Sequence, residues 1–538
     1  MNLRPFMKQI APGVLAVAGL FAGLNMAATS AQAEGPVRGG ELVIGAGYSA
    51  SSLNPAVQSG FGAGVPGAQL FAGLVRYDED FTPQPYLATD WAFSDDGKTL
   101  TLNLVRNATF HDGEPITASD VVFSLNAVKA NHPFKTMLQA VESVEAPDDY
   151  TVVIKLSEPH PALMVALSPL LLPIMPEHIY GDGQELRTHP RNLQDVVGSG
   201  PFKFGEFVAD QRIVLERNDN FFIEGRPYLD RIIVQTVRDR SNMSLLLQRG
   251  EVHYNPFTSL TLRDVDRMAR TDGLSATTDG YGGIGAINWL AFNLDREPWT
   301  DIRVRQAIAY AIDKDFIINT MQLGRSERAT GPIASSSPYY TADVELYDLD
   351  IERATQLLDE AGYTPDADGV RMRITIDWIP GTVEFGKNLG EAISAQLRKV
   401  GVEATVRSLP DFGSWIGQIS ATSDYDLSIE SLFNWGDPII GVHRSYISSN
   451  IRPGVPFSNT THYSNPEIDA LLDRAGGETD PETRAAMYRE FQEIIVDDLP
   501  MHFLHKVPFH TVQRDDLMGL PVGIWGAMAP FDQTYWAE

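Results

Sequence analysis

The stretch Ser94-Asp-Asp-Gly-Lys-Thr-Leu-Thr-Leu-Asn-Leu-Val105, followed by Phe110-His-Asp-Gly-Glu-Pro-Ile-Thr-Ala-Ser-Asp-Val121, contains the clearest local signals in the chain. Its Asp-Asp-Gly segment predicts a tight turn. The leucines that follow alternate strictly with polar residues, a pattern that predicts a half-buried strand. Thr117 then precedes an apolar helical period that runs to Lys129, and threonine is a good helix-capping residue. A strand and a helix so close together indicate a mixed α/β fold.

The same mixture continues along the chain. Strand patterns occur at Glu41–Gly47, Tyr150–Leu156, Arg212–Glu216, Arg231–Val237, Arg373–Asp377 and Ala286–Asn293. Helical patterns occur at Ile302–Asn319, Ile351–Ala361, Gly390–Val400 and Pro481–Asp498. Two of these helices are followed by a glycine and then by a strand-like run, which is the alternation expected of α/β layers. The sequence predicts a multi-lobed α/β protein.

Composition limits the possible functions. The 538 residues include 70 Asp+Glu against 42 Lys+Arg, so the formal charge is −28, and there is no cysteine. A chain this acidic repels phosphate backbones, so we expect no nucleic-acid partner. The lack of cysteine excludes disulfides, thiolate metal sites, cysteine nucleophiles and a lipid-bearing N-terminal cysteine.

The first 33 residues have the pattern of a secretory signal peptide. Arg4 and Lys8 precede an apolar run from Ile10 to Ala28, and Ala31-Gln-Ala33 forms a small-x-small cleavage site. We expect removal of residues 1–33, which leaves a charge of −30. With no cysteine to carry a lipid, the expected product is a free periplasmic protein.

Two glycine-rich motifs match nucleotide-binding patterns without the required context. Gly280–Gly285 fits GxGxxG, but the sequence after it reads as a strand, whereas a dinucleotide site needs a helix N-terminus there. Gly381–Asn388 lies between a strand and a helix, but Asn388 replaces the hydroxyl that follows the P-loop lysine. We therefore expect no nucleotide cofactor.

Enzyme signatures are also missing. The chain contains neither GxSxG nor HExxH, and its many carboxylates single out no catalytic pair. His502 and His505 are spaced i, i+3, and core packing is the commoner role for such a pair, although a metal role stays open. We expect no catalytic residues and no resident metal. A further candidate set is aromatic, because several of its members stand beside glycine or proline in loop-like sequence: Trp378, Trp415, Phe433, Trp435 and Trp525. Packing is the commoner role for each of them, and ligand contact stays open.

Taken in order, several segments resemble the extracytoplasmic solute-binding proteins of peptide-, opine- and nickel-type ABC importers (family 5). The segments are Ser52–Pro55, Leu70–Asp78, Pro85–Trp91, Ser94–Val121, Gly198–Lys203, Tyr228–Ile232, Asp301–Asp313, Leu357–Tyr363, Leu397–Val402 and Asp437-Pro438. The resemblance covers nearly all of the chain after residue 33. It implies a two-lobed periplasmic-binding-protein type II fold that closes on its ligand like a hinge, with an extra subdomain inserted in lobe I.

This resemblance implies a domain map. It assigns residues 34–55, 198–291 and 500–538 to lobe I, 56–197 to the inserted subdomain, and 292–499 to lobe II. The strands that cross between lobes are expected at Trp289–Asn293 and Met501–His505.

Two positions bear on the class of ligand that the sequence predicts. Peptide-binding members resembling this chain carry an aspartate three residues before the Asp/Glu-Pro pair, where it binds the peptide amine, and Asn434 occupies that position here. An amide loses the charge-assisted part of that contact. Dipeptide-type members also place a basic residue ahead of the helix that holds the ligand carboxylate, and Ile379–Thr382 has none. Both departures keep a neutral or sugar-like ligand stacked on tryptophan open.

The sequence therefore predicts a monomeric periplasmic receptor that captures a small polar solute, such as a short peptide, and delivers it to the permease of an inner-membrane ABC importer. The alternatives left open are a sugar, oligosaccharide or opine ligand, a metal chelate, and a secreted hydrolase. The predicted ligand-binding residues are Tyr48, Ser49, Trp378, Thr382, Trp415, Asn434, Trp435 and Asp437. Asn434 and Asp437 are expected to bond the polar head of the ligand, although Asp437 has the alternative role of capping a turn before Pro438.

Overall fold

The computed structural model describes residues 36–257, 259–381, 386–455 and 457–537. The predicted signal peptide and Thr382 lie outside these residues. The described strands are β1 (Glu41–Ala46), β2 (Val75–Tyr77), β3 (Pro83–Pro85), β4 (Ala88–Phe93), β5 (Thr99–Leu104), β6 (Val141–Asp148), β7 (Thr151–Leu156), β8 (Phe202–Val208), β9 (Arg212–Arg217), β10 (Arg231–Thr236), β11 (Tyr254–Asn255), β12 (Leu274–Thr277), β13 (Ala286–Phe292), β14 (Met372–Trp378), β15 (Val402–Val406), β16 (Leu427–Phe433), β17 (Met501–Lys506), β18 (Thr511–Arg514), β19 (Leu517–Met518) and β20 (Tyr535–Trp536).

Helices connect most of these strands. The described α-helices are α1 (Phe61–Leu70), α2 (Ala118–Asn131), α3 (Leu163–Ala166), α4 (Glu177–Tyr180), α5 (Arg240–Arg249), α6 (Leu262–Met268), α7 (Ile302–Tyr310), α8 (Lys314–Phe316), α9 (Ile351–Glu360), α10 (Lys387–Leu397), α11 (Phe412–Trp415), α12 (Pro438–Gly441), α13 (Pro466–Gly477) and α14 (Pro481–Asp498).

The first lobe is built around a seven-stranded sheet in the order β12-β18-β11-β1-β10-β9-β8. Strand β1 runs parallel to both β10 and β11 in the middle of this sheet. Alternate side chains of β1 face opposite cores, because successive residues of a strand point to opposite faces. Leu42 and Ile44 enter the large core, and Val43 enters a smaller core on the other face.

The stretch from Ser94 to Val121 forms the structure that its pattern predicts. Strand β5 lies inside a four-stranded antiparallel sheet, β4-β5-β7-β6, that is separate from the seven-stranded sheet. The backbone N–H of Thr117 donates to Asp120 Oδ2 at 2.9 Å, so a reciprocal cap starts α2. We use the name insertion below for residues 75–156, which contain these strands. The limits 56–197 of the inserted subdomain remain a prediction.

The second lobe is built around a five-stranded sheet in the order β15-β14-β16-β13-β17. Helices α7, α9, α10 and α14 contribute apolar residues to its core, together with the central strands. Each of the predicted helices near 351, 390 and 481 is confirmed, with bounds shifted by at most a few residues.

The single helix predicted over Ile302–Asn319 is wrong in one respect, because two helices replace it. Helix α7 ends at Tyr310, and the side chain of Asp313 accepts a hydrogen bond from the N–H of Phe316 at 2.8 Å to start α8. An aspartate that caps a new helix competes with continuation of the old one. Residues 317–321 then form a π-helical turn.

The chain passes between the two large sheets twice. Strands β13 and β17, which contain most of the segments predicted to cross between the lobes, are antiparallel neighbours in the five-stranded sheet. Strand β12 precedes β13 and β18 follows β17, and both belong to the seven-stranded sheet. The connections 278–285 and 507–510 therefore join the lobes. The predicted domain limits remain predictions.

Candidate functional site

Aromatic rings from both lobes meet where the two sheets approach each other. Phe61 stacks on Phe257 with ring centroids 3.9 Å apart, and it lies 5.8 Å from Phe433 at the end of β16. Phe257 follows β11 of the first lobe, whereas Phe433 belongs to the second. We call this group the interlobe aromatic cluster; its members are Tyr48, Phe61, Phe257, Tyr281, Phe433 and Phe509. Such rings provide a large apolar surface with defined geometry.

The sequence singled out Tyr48 and Phe433 from this cluster, and it placed only Tyr48 among the predicted ligand-binding residues. Its hydroxyl is buried and has no hydrogen-bond partner among the described residues, and burial raises its pKa well above the usual 10. A buried hydroxyl without a partner is costly, so this group is well suited to bond a ligand. The other four members share a signal that could have found them, because each stands beside a glycine or proline in a loop or at a helix start: Phe61-Gly62, Pro256-Phe257, Gly280-Tyr281-Gly282 and Pro508-Phe509.

Ser49 is engaged within the first lobe. Its hydroxyl donates to Asp210 Oδ1 at 2.6 Å and accepts from Arg238 Nη2 at 3.1 Å. Asp210 and Arg238 also form an ion pair. Ser49 thus fixes the loop after β1 to the turn between β8 and β9.

A strained turn presents Trp435 at the end of β16. Trp435 has φ of 51° and Gly436 has φ of 79°, so two successive residues adopt the left-handed region. A Cβ at position 436 would lie 2.8 Å from Val165 Cγ1, which only glycine avoids. The Trp435 ring contacts Phe433 at 5.6 Å and Phe134 of the insertion at 5.2 Å. Strain of this kind concentrates at functional sites.

The side-chain oxygen and nitrogen of Asn434 both form hydrogen bonds that hold this turn in place. Its Oδ1 accepts from the N–H of Ala334 at 2.7 Å, and its Nδ2 donates to the carbonyl of Pro332 at 3.1 Å. The backbone N–H of Asn434 donates to Ile284 O at 2.8 Å. The glycine-rich loop at 280–285, which is followed by strand β13, therefore packs against the turn.

Asp437 forms a buried ion pair with Arg484. The two carboxylate oxygens accept from Nη1 and Nη2 of Arg484 at 2.8 and 2.9 Å. The Oδ1 atom also accepts from the N–H of Ile439 at 3.0 Å, so Asp437 caps α12 before Pro438, as the sequence allowed. Both ion-pair side chains are at most 5% exposed. The pair anchors the turn to helix α14.

The other two predicted tryptophans lie outside the interlobe aromatic cluster. Trp415 is buried in a separate small core with Ile419 and Tyr425. Trp378 ends β14 and packs in the second-lobe core. The indole Nε1 atoms of both are buried without a hydrogen-bond partner in the described part of the chain. Their role in binding stays a prediction, as does that of Thr382.

A cavity of about 270 Å³ adjoins the connections between the lobes. We call it the hinge cavity. It is lined by residues 278–282 and 506–509, which include Tyr281 and Phe509 of the aromatic cluster. Its walls carry both signs of charge, with Glu79, Asp279 and Glu327 against Arg325 and Lys506. Mixed charge of this kind complements a zwitterion.

An ion pair joins the lobes beside this cavity. Arg325 of the second lobe donates through Nε to Asp266 Oδ1 of α6 at 2.7 Å. The two side chains are 29% and 32% exposed, so water screens the pair only in part. The contact joins the two lobes in this structure.

His502 and His505 both lie on β17 and are buried. Burial lowers the pKa of His505 to about 4 and that of His502 well below 6.5, so both are neutral at physiological pH. Within the described ranges, no three histidine, aspartate or glutamate side chains are grouped in a way that could hold a metal ion.

Residues 82–461 match the family model of the bacterial extracellular solute-binding proteins, family 5. A relative in Brucella ovis, assigned to the peptide-binding proteins of ABC transporters, is 30% identical over 93% of this chain and 92% of its own length. The chain belongs to family 5 of the solute-binding proteins. Heme-binding protein A of Haemophilus influenzae is also 30% identical to this solute-binding protein, over 82% of each chain.

A solved structure supports the fold of this solute-binding protein. The oligopeptide-binding protein AppA from Bacillus subtilis, in complex with a nonapeptide, superposes with a TM-score of 0.79 at 25% identity and covers 94% of this chain and 100% of its own. The two-lobed α/β architecture predicted from the sequence is thereby confirmed. Members of the family bind solutes and are not enzymes. In the described part of the chain, no helix combines the length and hydropathy needed to cross a bilayer.

Proposed function

We propose that this protein captures a small peptide-type solute between its lobes and delivers it to the membrane subunits of an ABC importer. The observation that carries the proposal is the interlobe aromatic cluster, because its rings come from both lobes and contact one another between them. Family membership and the peptide-binding assignments of its relatives support the same conclusion.

Closure follows from differential affinity. A solute that contacts Phe61 and Phe257 of the first lobe and Phe433 of the second binds the closed state more tightly than the open one. The solute therefore shifts the equilibrium toward closure by that difference in binding free energy. The permease then recognises the closed form. No covalent step is required, so the solute leaves chemically unchanged.

Each part of the site has a separate role in this proposal. The aromatic rings supply contact area, and the hydroxyl of Tyr48 bonds a polar group of the solute. Asn434 and Asp437 act indirectly, because their side chains hold the turn that presents Trp435. The carboxylates of the hinge cavity, Glu79, Asp279 and Glu327, match the ammonium group of a peptide.

We further propose that the first 33 residues direct export to the periplasm and are removed there, and that the unanchored product acts as a monomer. Mass spectrometry of the protein purified from its own periplasm tests this cleavage. A mature N-terminus at Glu34 is the expected result, and a retained or lipid-modified N-terminus contradicts it.

A thermal-shift screen with di- to nonapeptides tests the ligand class. A ligand present at 100 times its Kd stabilises the folded state by about 2.7 kcal/mol, which is a measurable shift in Tm. Sugars, opines and metal chelates form the comparison sets, and stabilisation by one of these sets alone would contradict a peptide ligand. Recovered peptides should be intact by mass spectrometry, since a hydrolase would cleave them.

The variant Phe433→Ala tests the site itself. Loss of one face of the aromatic cluster should weaken binding of the stabilising peptide by about tenfold or more, because burying a phenylalanine contributes about 1.5 to 3 kcal/mol. Phe316→Ala is the matched control, since Phe316 is a phenylalanine of the same lobe that is 42% exposed. Equal affinity of both variants would place the solute elsewhere.

A further inference from the structure

A second cavity, of about 140 Å³, lies between the insertion and the second lobe. We call it the distal cavity. Residues 133–139 of the insertion form one wall, and residues 439–455, which begin in α12, form the other together with Ser458. Because the walls belong to different lobes, the distal cavity is complete only in the closed arrangement.

The distal cavity is positively charged in a strongly acidic chain. Arg444 and Arg452 line it, and none of its described lining residues carries a carboxylate. The side chain of Arg452 is exposed, and no hydrogen bond or ion pair joins it to another described residue. His443 also lines the cavity, but burial lowers its pKa to about 3, so the positive charge comes from the arginines.

Arg444 is fixed at the wall of this cavity. Its Nε donates to the carbonyl of Phe457 at 2.6 Å, and its guanidinium lies 5.2 Å from the centre of the Phe134 ring. Burial lowers the pKa of Arg444 to about 10, which still leaves it charged at neutral pH. A cation held in a partly desolvated wall binds an anion more strongly than one in bulk water.

The distal cavity is connected to the interlobe aromatic cluster. The Phe134 ring that underlies Arg444 contacts Trp435, and Trp435 in turn contacts Phe433. Packed side chains therefore join the wall of the distal cavity to the aromatic cluster.

We propose that the distal cavity is the subsite that takes the carboxylate end of the bound solute. This inference rests on the proposed function and sharpens it, because it specifies a peptide with a free C-terminal carboxylate. The planar guanidinium groups of Arg444 and Arg452 match the geometry of a carboxylate. The contact also bridges the lobes, so the carboxylate end contributes to closure.

The first experiment tests the subsite without a peptide. Crystals of the protein are soaked in sodium selenate, whose selenium is located by its anomalous signal. A peak beside Arg444 and Arg452 is expected in the wild type and in Arg474→Gln, a control that removes an exposed arginine of the same lobe outside the cavity. The peak should vanish in Arg452→Gln, which alters an exposed side chain and leaves the fold intact. No peak in the wild type overturns the proposal.

The second experiment tests the carboxylate of the solute. Each peptide that stabilises the protein is compared with its C-terminal amide by isothermal titration calorimetry. The free acid should bind about tenfold or more tightly than the amide, because only the acid offers the guanidinium groups a charged carboxylate to bond, and hydrogen bonds to charged groups are the stronger ones. Arg452→Gln should reduce this preference and Arg474→Gln should keep it. Equal affinity of acid and amide overturns the proposal, even where selenate binds.

If no peptide binds at all, the proposed function fails, while the selenate result still decides whether the cavity accepts an anion.

Discussion

Glu430 makes the stability of this protein depend on pH in a predictable direction. Its carboxyl group is buried in the second lobe, on strand β16 opposite Trp289 of β13. The Thr460 hydroxyl donates to Oε2 at 3.4 Å, and Oε1 accepts no hydrogen bond from a described residue. Burial raises the pKa of Glu430 from 4.5 to about 7, and the neighbouring polar groups offset this only in part.

The size of the effect follows from this shift. A folded-state pKa above the unfolded value means that the native protein binds the proton more tightly. The stabilisation is therefore complete below about pH 4.5 and is lost as the pH rises to about 7. At about 1.4 kcal/mol per pKa unit, a shift from 4.5 to about 7 corresponds to roughly 3 kcal/mol.

The test is urea unfolding of the wild type and Glu430→Gln at pH 5 and pH 8. Glutamine keeps the shape of the protonated side chain but cannot ionise, so the variant should gain about 2 to 3 kcal/mol relative to the wild type between these pH values. Glu490→Gln, at an exposed position on α14, is the control for loss of a negative charge. The reasoning is refuted if the difference in unfolding free energy between wild type and Glu430→Gln is the same at both pH values.

Three further predictions concern the site. Arg484→Ala should cost about 3 to 5 kcal/mol of folding stability by urea unfolding, because it leaves the buried carboxylate of Asp437 without its partner; a loss below 1 kcal/mol would argue against the buried pair. Arg325→Ala and Asp266→Ala should each weaken ligand binding in calorimetry, and their double-mutant cycle should show about 0.2 to 1 kcal/mol of coupling that high salt reduces. Strictly additive effects would show that the pair does not hold the lobes together. Asn434→Asp should lower the free energy of unfolding by about 1 to 3 kcal/mol, and with it Tm, because aspartate cannot donate the amide hydrogen bond to the backbone. The same variant should gain no peptide affinity. A tighter peptide complex would instead support the amine-binding role predicted for this position.

Local features of the fold were predictable because they depend on neighbouring residues. The cap at Thr117 and the alternation in β5 are encoded within a few positions, and both are confirmed. The break between α7 and α8 was missed because an apolar period continues through it. Asp313 competes for the backbone by capping a second helix, and periodicity alone does not reveal this competition.

The site was less predictable because tertiary contacts assemble it. Phe61, Phe257 and Phe433 are far apart in sequence, and only the meeting of the two lobes brings their rings together. The sequence showed an amide at position 434 in place of an acid. It could not show that both ends of that amide are engaged by the backbone at residues 332 and 334.

The central claim is that a peptide-type solute binds between the two lobes. A crystal structure of the protein with the peptide that stabilises it most tests this claim most directly. We predict density for the peptide against Phe61, Phe433 and Trp435, with its carboxylate end directed toward Arg444. Density for the peptide on an outer surface, or a cleft that holds a sugar or a metal chelate instead, would contradict the account.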